Sequence, residues 1–264
     1  MPEKIVKVVC GYRHTLAIGE KGHLYGWGYN NQQQLSHSEE YAQEENPWHA
    51  IFTPVLFRKD LESKKVIDAA AGEEFSLVLA ENPATNMQEV YACGNNLRGQ
   101  LGINRMSHVQ DLILVEDISG FVDMYQGIPL KITNLTCGRR HCAATFNYGA
   151  FFVWGDNEFG QLGDKKRRFL ESPFPKSKFE RRHNVEHVVC GIDNCAAIVE
   201  DLPPVAKRKK KEKRTIKKAD MITNPDDLKA LGEKQIVKPV EPEERKTLSG
   251  RMKENLHNTL YGKS

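Results

Sequence analysis

One segment carries the clearest structural signal in this chain: Phe152-Val153-Trp154-Gly155-Asp156-Asn157-Glu158-Phe159-Gly160-Gln161-Leu162-Gly163. A short apolar run ends at a glycine and leads into a glycine-rich turn. The same pattern stands earlier as Tyr91-Ala92-Cys93-Gly94-Asn95-Asn96-Leu97-Arg98-Gly99-Gln100-Leu101-Gly102. A weaker copy, Tyr25-Gly26-Trp27-Gly28 followed by Tyr29-Asn30-Asn31-Gln32-Gln33-Gln34-Leu35-Ser36, has lost the glycines of the turn. Recurrence of one unit along the chain is typical of repeat architectures.

A second repeated element precedes each of these segments. It is a cysteine or small residue, then a glycine, then the opening of a β-type run. Its glycines are Gly11, Gly72, Gly138 and Gly191, which are 61, 66 and 53 residues apart. The residue three positions later is His14 in the first copy and His141 in the third, but Phe75 and Asn194 in the others. The chain therefore contains three complete repeats and the opening of a fourth.

The segments between the two elements predict β-hairpins. Thr15 to Ile18 and His23 to Trp27 are short β-type runs separated by Gly19-Glu20-Lys21-Gly22,. Glycines close each third run, at Gly28, Gly94 and Gly155, where a sharp turn calls for positive φ,. Short strands at regular spacing, without a long amphipathic helix in residues 1–202, predict an all-β fold of radial sheets, or blades.

These recurring residues resemble the repeat of the regulator of chromosome condensation family. The resemblance rests on Gly-x-x-His-[Ser/Thr], Trp-Gly and Asn-x-x-Gly-Gln-Leu-Gly, and it covers residues 5–200. It implies a β-propeller, usually of seven blades, of which three and a half repeats make about half. The expected fold is therefore a partial, open-arc propeller of three to four blades. Its exposed strand edges require a cover, which could be a partner protein, a second copy of the chain or a compact four-bladed closure.

Composition divides the 264-residue chain into two parts. The net charge is +3, but residues 201–264 hold 17 Lys and Arg against 10 Asp and Glu, net +7, which leaves −4 for residues 1–200. The tail has one aromatic residue, Tyr261, too little to build a core,. We expect a propeller domain over 1–202 and an extended basic tail with short, partner-dependent helices over 203–264. A mean hydropathy of −0.56 and the absence of a signal peptide or spanning segment lead us to expect neither secretion nor membrane insertion,.

Repetition favours structural roles for the cysteines and histidines. Cys10, Cys137 and Cys190 are one repeat position, and Cys142 and Cys195 are another. The five-residue spacing within a pair is expected to send the two side chains to opposite faces, so four sulfurs would not converge on a metal. Buried reduced thiols are therefore predicted, without metal or cofactor. His14 and His141 recur at one position, as a packing residue would, and no catalytic motif is found. We expect a protein that is not an enzyme and has no small-molecule substrate.

Two basic features are candidate binding sites. The first is a tail arm consisting of Lys207, Arg208, Lys209, Lys210, Lys211, Lys213, Arg214, Lys217 and Lys218. It could be a nuclear import signal, an arm for nucleic acid or an arm for an acidic protein surface such as tubulin tails. The second is a basic patch in the third repeat, formed by Lys165, Lys166, Arg167 and Arg168. The acidic residues Glu39, Glu40, Glu44 and Glu45 lie in the first repeat, so charge is polarised along the chain.

The tail also contains two potential helices. Asn224-Pro225-Asp226-Asp227 has the capping residue, proline and acids of a helix start, and Gly232 would end that helix,. Further on, the apolar side chains of Leu248, Met252, Leu256 and Leu260 recur every four residues. Such a stripe is marginal alone and fits a groove on a partner.

The sequence thus predicts a non-enzymatic interaction scaffold, a structural subunit of a large assembly. A microtubule or axonemal complex is the preferred setting, which implies the cytoplasm, cytoskeleton or cilium. The family resemblance implies an alternative, guanine-nucleotide exchange on a small GTPase or chromatin binding in the nucleus, and ribosomal RNA binding is a third possibility. Microtubule co-sedimentation, acceleration of nucleotide release and co-fractionation with ribosomal particles separate the three.

Overall fold

The fold is a series of antiparallel β-sheets. The computed structural model describes residues 3–36, 50–57, 61, 63–120, 130–175 and 183–201. Blade 1 is β1 (Ile5–Cys10), β2 (His14–Gly19), β3 (Leu24–Tyr29) and β4 (Ala50–Leu56); blade 2 is β5 (Lys65–Ala71), β6 (Phe75–Asn82), β7 (Met87–Gly94) and β8 (Val109–Leu114). Blade 3 is β9 (Ile132–Cys137), β10 (His141–Phe146), β11 (Phe151–Asp156) and β12 (Phe169–Pro175); blade 4 contains β13 (His183–Cys190) and β14 (Cys195–Asp201). Two single-turn 3₁₀ segments, Glu116–Ile118 and Asn147–Gly149, complete the described elements.

The blades pack face to face in chain order. Strand β5 lies against β1 and β2, β9 lies against β5, and β13 packs on β9 and β10. Each blade interface is a hydrophobic core, and the alternation of side chains along a strand divides one blade between two cores. On β6, Phe75, Leu77 and Leu79 belong to the core shared with blade 3, whereas Val78 and Ala80 belong to the core shared with blade 1. This arrangement is a propeller in which the first strand of each blade lies innermost.

The glycines that end the third strands have the backbone that the sequence predicted. Gly28, Gly94 and Gly155 have φ values of +106°, +106° and +96°. A Cβ atom at Gly28 would also lie 2.6 Å from the carbonyl oxygen of Arg13 and 2.8 Å from the Cα of His14. Only glycine combines this conformation with so close an approach of two strands.

The prediction of a partial, all-β propeller of three to four blades is confirmed. The described residues give three four-stranded sheets and one two-stranded sheet. Apolar side chains on the outward faces of both terminal blades are exposed, among them Val6, Val8 and Ile198. No helix among the described residues is long and apolar enough to cross a bilayer. The tail of residues 203–264, with its predicted arm and helices, lies outside the described residues.

Candidate interaction surface

Backbone hydrogen bonds link the blades along one rim of the arc. The rim is formed by the loops that follow the innermost strands. The Tyr12 N–H donates to the Gly72 carbonyl at 3.1 Å, the Glu73 N–H to the Arg139 carbonyl at 3.0 Å, and the Arg139 N–H to the Ile192 carbonyl at 3.0 Å. The blade positions are therefore fixed by the backbone as well as by side-chain packing.

The rim glycines are needed because neighbouring blades approach closely. A Cβ atom at Gly11 would lie 2.6 Å from the Gly72 carbonyl oxygen, and one at Gly138 would lie 2.3 Å from the Gly191 carbonyl oxygen. Their equivalent in blade 2, Gly72, would meet the ring of Phe75. Close approach therefore involves the next blade at Gly11 and Gly138, and a side chain of the same blade at Gly72 and Gly191. This role differs from the positive-φ role of Gly28 and its equivalents.

The repeated histidines bridge adjacent blades. The Nε2 atom of His14 is 3.0 Å from the Ser76 hydroxyl, and Nε2 of His141 donates to the Asn194 carbonyl at 3.2 Å. Both rings are buried, and burial lowers the pKa of His14 to about 4. These contacts agree with the structural role expected from repetition, which stays a prediction.

The turn after each third strand is held by one asparagine. The Oδ1 atoms of Asn30, Asn96 and Asn157 accept hydrogen bonds from the N–H groups of Leu35, Leu101 and Leu162, at 2.8, 2.9 and 2.9 Å respectively. The leucines are buried. The short amide side chain satisfies backbone groups that the turn would otherwise leave unpaired.

The first repeat keeps this turn without its glycines. Gly99 and Gly102 have φ values of +73°, and the residues at their positions in the first repeat, Gln33 and Ser36, adopt +63° and +53°. The first repeat therefore keeps the conformation of the turn, although its sequence has lost the glycines. The conformation is strained, because Gln33 and Ser36 adopt positive φ,. The hydrogen bond from the Leu35 N–H to Asn30 helps to offset this strain.

The rim loops and these turns lie on the same face of the arc. In blade 3, His141 at the start of β10 pairs with Gly155 near the end of β11, so both connections leave the sheet at one edge. We call this surface, with Arg139, Arg140 and the loop of residues 156–168, the basic face of blade 3.

The basic patch is the part of this face open to solvent. Lys165, Lys166, Arg167 and Arg168 are all exposed. Asn157 orders their loop, because its amide nitrogen donates to the carbonyls of Asp164 and Arg167, both at 2.6 Å. The Arg167 guanidinium lies 4.9 Å from the centroid of the Phe174 ring. The patch is therefore open to a partner, and its binding role stays a prediction.

Two other arginines on this face form ion pairs between blades. Arg139 makes two hydrogen bonds to the Asp193 carboxylate, at 3.1 and 2.8 Å, and Arg140 donates to Glu73 at 2.8 Å. Beside the patch, Phe159 is 67 % exposed. The face thus offers four cationic side chains next to an apolar ring. Two further arginines of this region of the sequence, Arg181 and Arg182, lie outside the described residues.

One geometric prediction about the cysteines is wrong. The Sγ atoms of Cys137 and Cys142 are 3.6 Å apart, and those of Cys190 and Cys195 are 3.5 Å apart. Each pair flanks a turn, so its members occupy opposite positions on adjacent antiparallel strands. Cross-strand partners point to the same face, whereas the expectation of opposite faces treated the pair as part of one strand. All six cysteines are described, and they are thiols. The expectation that they are buried is wrong for most of them, because only Cys93 and Cys142 are buried and Cys10 is exposed.

The tail arm at 207–218 and the tail stripe at 248–260 lie outside the described residues, as do Glu39, Glu40, Glu44 and Glu45. Their binding roles stay predictions.

Family models match both ends of the described chain. Residues 5–34 match one model of the regulator of chromosome condensation (RCC1) repeat, and residues 21–79 and 148–198 match a second model of the same repeat. The matched positions include the rim glycines Gly11, Gly72 and Gly191.

The curated relatives are much longer proteins. Serine/threonine-protein kinase Nek8 of Danio rerio is 26 % identical over 194 residues, which cover 71 % of this chain and 25 % of the kinase. The probable E3 ubiquitin-protein ligase HERC4 of Homo sapiens is 30 % identical over 197 residues, 74 % of this chain and 16 % of the ligase. The chain thus spans a quarter or less of either relative.

Solved structures show the same fold. Prp20p from Saccharomyces cerevisiae, described with its binding to Gsp1p and histones, superposes with a TM-score of 0.58 at 20 % identity, over 76 % of this chain and 44 % of Prp20p. Yeast RCC1 (Prp20) has also been solved with Kap60 bound, with a TM-score of 0.59 at 20 % identity, over 76 % of this chain and 43 % of the other. Repeat models and fold agree with the residue pattern, and the β-sheet part of this chain belongs to the RCC1 repeat family.

Proposed function

We propose that this chain is a non-enzymatic interaction module that binds an acidic protein surface through the basic face of blade 3. The observation that carries the proposal is the ordered loop with Lys165, Lys166, Arg167 and Arg168 exposed beside Phe159. Charged groups on such a surface steer an oppositely charged partner, and an exposed aromatic ring adds contact area.

The patch, rather than the rim, is the binding element because the arginines of the rim are already paired with carboxylates of neighbouring blades. Arg139 and Arg140 are engaged with Asp193 and Glu73, which hold the blades together. The patch lies on the same face, and its loop is braced by Asn157, so little conformational entropy is lost when a partner binds. The basic tail would add a second, extended contact to the same partner, which raises avidity.

A microtubule or axonemal complex is the partner assembly that we favour, because tubulin tails form a dense acidic surface that suits both a basic patch and a basic arm. The setting would be cytoplasmic, in the cytoskeleton or cilium. The fold suits this role, because its stacked repeats build a rigid surface on which a partner can bind.

A second candidate function rests on the similarity to Prp20p, which is described with binding to Gsp1p and histones. Histone-bearing chromatin is also rich in acidic surface, and the tail arm would then direct the protein to the nucleus. A sequence identity of 20 % with Prp20p supports a shared fold and no more. Exchange activity on a small GTPase is therefore the alternative function. Ribosomal RNA is a third acidic polymer that the same charges would suit.

Co-sedimentation with stabilised microtubules tests the proposal. The full chain is compared with the triple variant Lys165→Glu, Lys166→Glu, Arg168→Glu, which keeps the Arg167 stacking on Phe174. The matched control reverses Lys4, Lys21 and Lys65, which are exposed at the opposite edge of blades 1 and 2. Both variants change the net charge equally, so a difference between them reports position.

We expect the patch variant to lose at least about tenfold in affinity and the control to lose much less, with binding by the wild type falling steeply as salt rises. Equal losses in the two variants would contradict a localised site. No binding to microtubules, together with faster nucleotide release from a small GTPase or co-fractionation with ribosomal particles, would move the assignment to the corresponding alternative.

A further inference from the structure

Three potential metal ligands converge between blades 3 and 4. A ring nitrogen of His141 and the Sγ atoms of Cys190 and Cys195 all lie within 4.8 Å of one another. A second pair, Cys137 and Cys142, lies on blade 3 with its Sγ atoms 3.6 Å apart. This convergence is the reverse of the separation that the sequence suggested.

The separations suit tetrahedral coordination. With zinc–sulfur bonds of about 2.3 Å, two thiolates on one tetrahedral zinc ion stand about 3.8 Å apart. The Cys190–Cys195 sulfur distance, 3.5 Å, is close to this value before any adjustment. A disulfide requires about 2.05 Å, so the observed spacing corresponds better to two ligands of one ion.

The earlier blades show how the histidine is directed. At the interface of blades 1 and 2, Nε2 of His14 is 3.0 Å from the Ser76 hydroxyl. Cys195 occupies the position of Ser76 in blade 4, and His141 occupies that of His14. The repeat geometry therefore turns Nε2 of His141 toward the Cys195 sulfur.

We propose that His141, Cys190 and Cys195 hold a zinc ion that clamps blade 4 onto blade 3. Cys190 and Cys195 are half-buried, so a water molecule can reach the fourth tetrahedral position. Two thiolates and one imidazole, with water as the fourth ligand, are a set that zinc binds in proteins.

Binding requires two proton losses and no redox step. Each of the two thiols releases its proton to solvent and gives a sulfur lone pair to Zn²⁺, and neutral His141 gives a nitrogen lone pair. The zinc bond replaces the 3.2 Å hydrogen bond from Nε2 to the Asn194 carbonyl. The ion would join two blades that hydrophobic packing and the rim hydrogen bonds already bring together, and blade 4 has only two described strands to hold it.

The chain's own repeats supply substitutions that fit the fold. Blade 2 has Ala71, Phe75 and Ser76 at the positions of Cys190, His141 and Cys195. The test variant is therefore Cys190→Ala with Cys195→Ser, and His141→Phe removes the nitrogen ligand. Cys10→Ala is the matched control, because Cys10 is the blade 1 equivalent of Cys190 and stands apart from the cluster.

Full-length protein is purified under reducing conditions, incubated with Zn²⁺ alone, dialysed and analysed for bound metal. We expect about one zinc per chain in the wild type and the Cys10 variant, and background levels in the double variant. Replacement by Co²⁺ should give thiolate-to-cobalt charge transfer and the visible bands of a tetrahedral site, weakened in His141→Phe. Circular dichroism of each variant establishes that it is folded.

Three results would overturn the site. Wild-type protein that is folded, reduced and free of zinc after the incubation would do so. The same holds if Zn²⁺ binding survives in the double variant, since the ligands would then lie elsewhere. A disulfide between Cys190 and Cys195 that forms in air as readily with Zn²⁺ present as without it would show that these thiols pair with each other instead.

Discussion

Replacing His14 by phenylalanine should remove a specific part of the acid sensitivity of the propeller. His14 is 3 % exposed at the interface of blades 1 and 2, and burial lowers its pKa from 6.5 to about 4. Phenylalanine is the residue at the same position in blade 2, where Phe75 packs over Gly72 as His14 packs over Gly11. Ser76 keeps a hydrogen bond in the variant, because its hydroxyl donates to the Gln34 carbonyl at 2.7 Å.

The magnitude follows from proton linkage. The unfolded chain binds a proton at His14 below about pH 6.5, whereas the folded chain resists it until about pH 4,. Above pH 6.5 the neutral ring therefore does not lower the free energy of unfolding. As the pH falls from 6.5 toward 4, the free energy of unfolding decreases progressively. Between pH 7.5 and pH 5.0 this single group lowers the free energy of unfolding by about 2 kcal/mol.

Urea unfolding of the full chain at the two pH values, followed by tryptophan fluorescence, measures the effect. The wild type should lose about 2 kcal/mol more than His14→Phe on acidification, because all other titrating groups are common to both proteins. Substitution of the exposed His108 by glutamine controls for loss of a surface histidine. Equal acid sensitivity in the wild type and His14→Phe would show that the ring is not held neutral and would refute the reasoning.

Three further substitutions test other parts of the account. Gln33→Gly should raise the free energy of unfolding by about 0.5–1 kcal/mol, because Gln33 has φ +63° and a buried Oε1 without a hydrogen-bond partner in the described structure; a fall in the urea midpoint would contradict this,. Gly28→Ala should cost more than about 2 kcal/mol, since its Cβ would meet the adjacent strand, whereas Gly163→Ala, with open space around it, should cost about 1; similar costs in thermal melts would argue against the close approach,. Leu256→Asp should weaken microtubule co-sedimentation with an unchanged sheet signal in circular dichroism, and unaltered binding would reject docking of the tail stripe.

The sequence was sufficient for the repeated parts of the fold. Each rim glycine and each Trp-Gly or Cys-Gly step marks a strand boundary that the structure contains, because tight approach and positive φ are requirements that few residue types meet. The fourth strands, β4, β8 and β12, follow loops of different length and share no motif. Their positions depend on pairing with β3, β7 and β11, which is a tertiary effect.

The site was only partly predictable for the same reason. Four consecutive basic residues at 165–168 indicated an exposed patch, and charge alone was a sufficient signal. The convergence of the cysteines was missed, since it depends on a turn that places Cys137 opposite Cys142 and on the stacking of blade 4 against blade 3. The sequence did contain a signal for this convergence. The two cysteines of each pair, such as Cys190 and Cys195, stand on either side of a predicted turn, and such residues lie opposite each other on adjacent strands.

Cross-linking mass spectrometry of the protein in its native assembly, with a lysine-reactive reagent, tests most directly where a partner binds. The account predicts that intermolecular cross-links concentrate on Lys165 and Lys166 and on the lysines of the tail arm. Cross-links that fall instead on Lys4, Lys21 and Lys65, with none on the basic face of blade 3, would contradict it.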